Sequence, residues 1–298
     1  MWRICAKTWP WRSIRFKLQK QMTNRNSTAV AELQAIAAEA FAALETGHQI
    51  SPFSARISAF DLDDAYQVTA AIRQIRETRG EMPVGRKVGF TNCTIWAEYN
   101  VYEPIWGYVY NRTVRNLAEI DGTFSLMGLA EPRIEPEIAF RLALAPAPGM
   151  DETALLACID WVGHAFEIVQ SIFPRWKFSA PDTVAAFGLH GALLIGPRYS
   201  ITAHAEDWSR TLSTFEIDLK RDGKIVDHGR AANVLGGPLS ALRHLVDILA
   251  RDQVNPPLAA GEIVTTGTLT RALPVSAGQT WTTELTGVAL DGISVRFA

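Results

Sequence analysis

Apolar residues recur at three- and four-residue intervals from Thr28 onward: Val30, Leu33, Ile36, Ala37, Ala40, Phe41 and Leu44 fall on one helical face. Gly47 stands where such a helix would end. A second helix is expected after Asp61, an N-cap residue type, with Ala65, Val68, Ile72 and Ile75 as its buried stripe and Gly80 closing it. Beyond Gly80 the texture changes to short strands and turns. GRKVGF (85–90) and EPRIEPEIAFRLAL (131–144) read as strands, and a helix from about Asp151 leads into the strand GHAFEIV (163–169). FEIDLKRDGKIVDHG (215–229) reads as a hairpin turning at Asp222-Gly223. Pro238 opens a further helix whose stripe is Leu242, Leu245, Val246 and Leu249. GEIVTTG, WTTEL and ISVRF complete the strands, with Asp291-Gly292 as the last turn. Strands outnumber helices and do not alternate regularly with them, which argues for an α+β fold over a doubly wound parallel sheet.

Composition narrows the function classes. The 298 residues are 48% hydrophobic and 20% charged, an ordinary globular balance, and the net charge of −2 gives no electrostatic case for nucleic acid. Cys5, Cys93 and Cys158 form neither a disulfide framework nor a thiolate metal motif, so a reducing cytoplasm is the expectation. No apolar run reaches the roughly 18 residues of a membrane span. Residues 1–21 differ from the rest, with six basic residues, no acid and Trp2, Trp9, Trp11 and Phe16 interspersed. They read as a disordered extension or as a targeting or membrane-surface arm, and they stand outside the fold argument.

Candidate chemistry centres on RIEPEIAF (133–140). On a strand, residues i and i+2 share a face, so Glu135 and Glu137 project together. They lie about 7 Å apart along the chain and repel by about 2 kcal/mol at an effective dielectric of 20. Either that face is wet, or a cation sits between the carboxylates. Glu167 lies in a stretch apolar enough that a lone carboxylate there needs a partner, whether a metal, His164 or Arg175. With Glu135 and Glu137 it makes a hard, all-oxygen set that suits Mg2+ or Mn2+ better than zinc. Lys87 shares its strand face with Gly85 and Gly89, small neighbours that admit a ligand; a solvated lysine is the plainer alternative.

GRKVGFTN, RIEPEIAF, AFEIVQS, WKFSAPDTVAAFGLHGALLIG, VLGGPLSALRHL and EIVTTGTLT occur in one order and spacing. Together they resemble the hydratase and decarboxylase branch of the fumarylacetoacetate hydrolase superfamily, typified by 2-keto-4-pentenoate hydratase, from about residue 28 to 298. The resemblance implies a fumarylacetoacetase C-terminal-like mixed β-roll over 83–298 with a small N-terminal helical subdomain over 22–82. It implies Mg2+ or Mn2+ held by Glu135, Glu137 and Glu167, and Lys87 as an acid/base group whose pKa is brought down by burial and the dication. Asp182 is implied beside the pocket, orienting water or the lysine, although it would serve equally as a helix cap. Thr266, Gly267, Thr268 and Trp106 are implied to bind substrate. His190 has no counterpart in the pattern, and a buried, satisfied histidine is its expectation. Where family hydratases carry an Asp before an aromatic-Gly pair, this chain has Ile105 before Trp106, and Asn92 and Cys93 also depart from the usual residues. The implied activity is hydration of a 2-hydroxy-2,4-dienoate to a 4-hydroxy-2-oxo acid within aromatic catabolism. A 2-oxo acid decarboxylase, an acylpyruvate hydrolase or a silent subunit stabilising a decarboxylase partner are the alternatives. A homo-oligomer is implied as well.

Overall fold

The structure, a computed structural model, describes residues 30–92, 96 and 103–298, with 203–206 as backbone only. The expectations for residues 1–21 and for Cys93 lie outside these residues. The first helix, α1, spans 30–46 and ends at Gly47, whose φ of 63° a side chain would disfavour. The second, α2 (Leu62–Thr78), starts at Asp61, whose carboxylate accepts the Asp64 N–H at 3.0 Å. Strands β1 (Pro83–Gly89), β2 (Ile105–Tyr110), β3 (Val114–Asn116), β4 (Thr123–Phe124) and β5 (Arg133–Leu142) follow. Next come α3 (Glu152–Ala157), capped by Asp151, β6 (Ile159–Val169), α4 (Ala180–Ala185), β7 (His190–Ser200) and α5 (Ala205–Thr211). The chain ends with β8 (Glu216–Arg221), β9 (Lys224–Arg230), α6 (Pro238–Leu249), β10 (Ile263–Thr265), β11 (Leu273–Pro274), β12 (Thr280–Thr286) and β13 (Ser294–Phe297).

One sheet runs in the order β2-β1-β10-β5-β6-β7-β3, with β11 added to β5; a second runs β4-β13-β12-β8-β9. In the first, β1–β10 and β3–β7 are parallel, whereas β5, β6 and β7 are antiparallel neighbours. Its two ends, β2 and β3, are joined only by residues 111–113. From Tyr110 to Val114 such a connection reaches at most about 14 Å, so the sheet must curl until its edges approach. The result is a roll with an inside and an outside.

Strand alternation then sorts the side chains. On the outside, Val88, Phe140, Val162 and Val264 pack under α6 through Leu242 and Leu245. Also outside, Ile134, Phe166, Ile168 and Leu194 meet Trp281, Val295 and Phe297 of the second sheet. Inside, Val109, Ala139, Ala165, Leu193 and Ile195 fill one end. The other end holds the carboxylates. Helix α1 has no core of its own: Ile36, Ala37, Ala40 and Phe41 are buried against a cluster that includes Ile105, Val184 and Phe187 of the roll.

Candidate active site

Strands β5 and β6 bring the acids together by register alone. Glu135 lies directly opposite Glu167, and Glu137 pairs with Ala165 one step along the same face. One carboxylate oxygen from each of the three falls within 4.8 Å of the others. Glu137 and Glu167 are fully buried and Glu135 is half-buried on the cavity wall. Glu137 Oε2 accepts the Gly267 N–H at 2.8 Å, and Glu167 Oε1 meets His190 Nδ1 at 2.7 Å. The remaining oxygens, Glu137 Oε1 and Glu167 Oε2, have no hydrogen-bond partner among the described residues. Lys87 Nζ approaches Glu167 Oε2 to 3.3 Å and donates to Gly188 O at 3.1 Å.

Three carboxylates against one ammonium leave a formal charge of −2, with Glu137 Oε1 unsatisfied and Glu167 Oε2 met only by the Lys87 ion pair. Hard donors, residual charge and orphaned lone pairs all fit a divalent cation such as Mg2+ or Mn2+.

Taken with protein charges alone, the acids separate. Burial, then repulsion from Glu167 and Glu135, pushes Glu137 well above the ordinary carboxylate range; burial lifts Glu135 to about 7. Burial also opposes the charge on Glu167, yet Lys87 first and then His190 outweigh it and hold its pKa low. Lys87 departs from the sequence expectation. Burial does pull its ammonium down, but Glu167, Glu135 and Glu137 overcome that and hold its pKa above the usual lysine range.

The cavity above the acids has a volume of about 500 Å3. Lys87, Glu135, Gly267 and Thr268 line it beside the apolar walls of Ile105 and Phe178. Gly267 has φ 94°, and a Cβ there would stand 2.0 Å from Thr91 Oγ1, so only glycine brings this N–H to Glu137. Thr266 is fully buried and donates its hydroxyl to Ile138 O, which ties the strand ends together; Thr268 bonds Thr270 O at the cavity rim.

Trp106 stands elsewhere than the resemblance implied, and of the two readings of Asp182 its contacts match the helix cap. Trp106 faces out of the roll: β2 alternation gives the cavity to Ile105, and the Trp106 ring stacks on Tyr66 at 5.1 Å in the core. The oxygens of Asp182 are taken up away from Lys87. It closes a capping box with Ser179 at the start of α4 and accepts both the N–H and the hydroxyl of Ser54, at 2.9 and 2.6 Å. The partner of Glu167 is neither His164 nor Arg175. His164 bridges Glu137 O and Thr283 on the outer face, and the Arg175 N–H donates to Glu131. His190 is the residue that sequence reasoning left without a role, and the glycines flanking Leu189-His190 were its only signal.

Comparison with known proteins gives a consistent picture. Residues 102–291 match the family described as fumarylacetoacetate (FAA) hydrolase C-terminal. A 2-hydroxyhexa-2,4-dienoate hydratase from Comamonas testosteroni is 28% identical, over 85% of this chain and 93% of its own. A 4-oxalocrotonate decarboxylase from a Pseudomonas species is 32% identical, over 78% of this chain and 84% of its own. Among solved structures, the 4-oxalocrotonate decarboxylase of Pseudomonas putida complexed with magnesium and adipate superposes with a TM-score of 0.81. It shares 28% identity, over 90% of this chain and 98% of that one.

Proposed function

Because the chain belongs to the fumarylacetoacetate hydrolase C-terminal family, we propose that it is a divalent-cation-dependent hydratase that adds water to a 2-hydroxy-2,4-dienoate. The observation that carries this reading is the buried trio of carboxylates with one lysine ammonium in the same cavity. Glu135, Glu137 and Glu167 would hold Mg2+ or Mn2+, and when bound the cation supplies Lewis acidity toward the C2 oxygen of a 2-oxo acid. Gly267 keeps Glu137 aimed through its N–H. Gly267 and Thr268 offer the polar end of the cavity for the substrate carboxylate, while Ile105 and Phe178 pack its hydrocarbon chain. Lys87, held as an ammonium and steadied by Gly188 O, gives its proton to C5 and is restored by the proton of the 2-hydroxyl as the dienol becomes the 2-oxo-3-enoate. Water then adds at C4, its oxygen to carbon and its proton to C3, giving the 4-hydroxy-2-oxo acid. A cytoplasmic homo-oligomer in aromatic catabolism, able to associate with a decarboxylase partner, belongs to the same reading and rests on the family likeness alone.

A second reading has its own support. Arg133, stacked on Trp176, and Arg271, paired with Asp227 at 3.0 Å, also line the cavity, and their positive charge would favour a second carboxylate on the substrate, as on a dicarboxylic 2-oxo acid losing CO2. One assay separates the two. Purified protein, stripped with chelator and restored with Mg2+, is given 2-hydroxypenta-2,4-dienoate or a 2-oxo-enedioate. Dienoate absorbance and product mass are then followed. Mg2+-dependent gain of one water from the dienoate is the expected result. Loss of CO2 from the dicarboxylate with no hydration would replace the first reading by the second.

A further inference from the structure

His190 reaches the site only because β7 is irregular where it pairs with β6. Ile168 pairs with Ala192 but Val169 with His190, so Gly191 is an extra residue, a β-bulge. Ala192 and Leu194 face outward, and unbroken alternation would send His190 out with them. The bulge turns it inward onto Glu167 instead. Glycine is what allows this, since a Cβ on residue 191 would stand 2.8 Å from Ile168 O. The three residues before His190, namely Phe187, Gly188 and Leu189, all have positive φ, at 63°, 61° and 64°. Two of them are not glycine, a backbone cost accepted only where the surroundings fix it. This left-handed turn presents Gly188 O to Lys87 on one side and His190 to Glu167 on the other.

One side of the imidazole is settled by its partner. Glu167 Oε1, as a carboxylate oxygen, accepts, so Nδ1 carries the proton of the 2.7 Å bond. On the other side Nε2 lies 2.8 Å from Thr113 Oγ1, a hydroxyl that is itself tied to the Tyr110 backbone, donating to Tyr110 O at 3.0 Å and accepting the Tyr110 N–H at 3.3 Å.

We infer that His190 is a positioning residue for the cation site: it ties down Glu167 Oε1, so that Oε2 alone is presented beside Glu135, Glu137 and Lys87. This rests on reading the three carboxylates as a cation site. Without the histidine, Glu167 turns freely and can offer both oxygens to Lys87, and the site loses a fixed ligand. Outer partners of this kind typically contribute about 10- to 100-fold to metal affinity.

The test is Mn2+ affinity of the full chain, read from the electron paramagnetic resonance of free Mn2+. His190→Phe should weaken binding by about 10- to 100-fold. His190→Asn, whose amide nitrogen can stand where Nδ1 stood, should recover most of the loss. Thr113→Val, which removes the Nε2 partner along with that hydroxyl's bonds to the Tyr110 backbone, should give a smaller loss of the same sign, and it decides the matter if His190→Phe does not fold. Wild-type affinity in His190→Phe, or in Thr113→Val where the first fails to fold, would overturn the inference. So would His190→Asn binding as weakly as His190→Phe. Wild-type protein that binds no Mn2+ would remove the underlying reading along with it.

Discussion

Glu135, Glu137 and Glu167 share one face but not one electrostatic state. Lys87 and then His190 hold Glu167 below the ordinary carboxylate range against its burial, whereas burial raises Glu135 to about 7 and Glu137 well above that range. Lys87 sits against Glu167, and its role and that of the ligands separate experimentally. Lys87→Met should leave Mn2+ binding in place and cost kcat at least about 100-fold, the usual contribution of a positioned acid/base group. Turnover close to wild type in a variant that still binds Mn2+ would take the lysine out of the chemistry. At this scale the glutamates and the lysine were readable because strand alternation is a local rule. His190 was not, because a bulge suspends that rule. Trp106 was placed on the wrong side because the face a short strand buries depends on the distant strands it meets.

Among the elements, β5 and β6 do the most for the site, since their antiparallel register alone sets Glu135 opposite Glu167. The RDGK hairpin also follows from local chemistry: Asp222 and Gly223 both have positive φ, as a two-residue turn of this hand requires. Helix α4 is a different case, because the same Asp182 suits a cap or a pocket, and only its contacts decide. Buried and accepting from Ser54 and Ser179, it pins the segment before α2 to the roll. Asp182→Ala should therefore lower stability by about 2–4 kcal/mol, for the cap and the charged hydrogen bonds lost, as read by urea unfolding. Mn2+ affinity of the folded protein should stay as it was. Undiminished stability with lost turnover would return Asp182 to the reaction.

At the scale of the whole molecule, the roll makes the site. Closing the sheet through residues 111–113 turns one face into an interior, and the acids occupy the end where the apolar filling of Ala139, Ala165 and Leu193 stops. The sequence pattern carried the class, α+β with many short strands, but not the strand order. The parallel pairs β1–β10 and β3–β7 join segments far apart in the chain, and no local period encodes them. Nor did it disclose that the N-terminal helices share a core with the roll, since an amphipathic stripe says that something covers it and not what. None of the helices described is long and apolar enough to cross a membrane. If this interior holds a divalent cation, crystals grown with Mn2+ should reveal it in an anomalous-difference map. A single strong peak is expected within coordination distance of Glu135, Glu137 and Glu167, with Glu167 contributing Oε2. A map with no peak there, and Lys87 closed onto the carboxylates in its place, would contradict it.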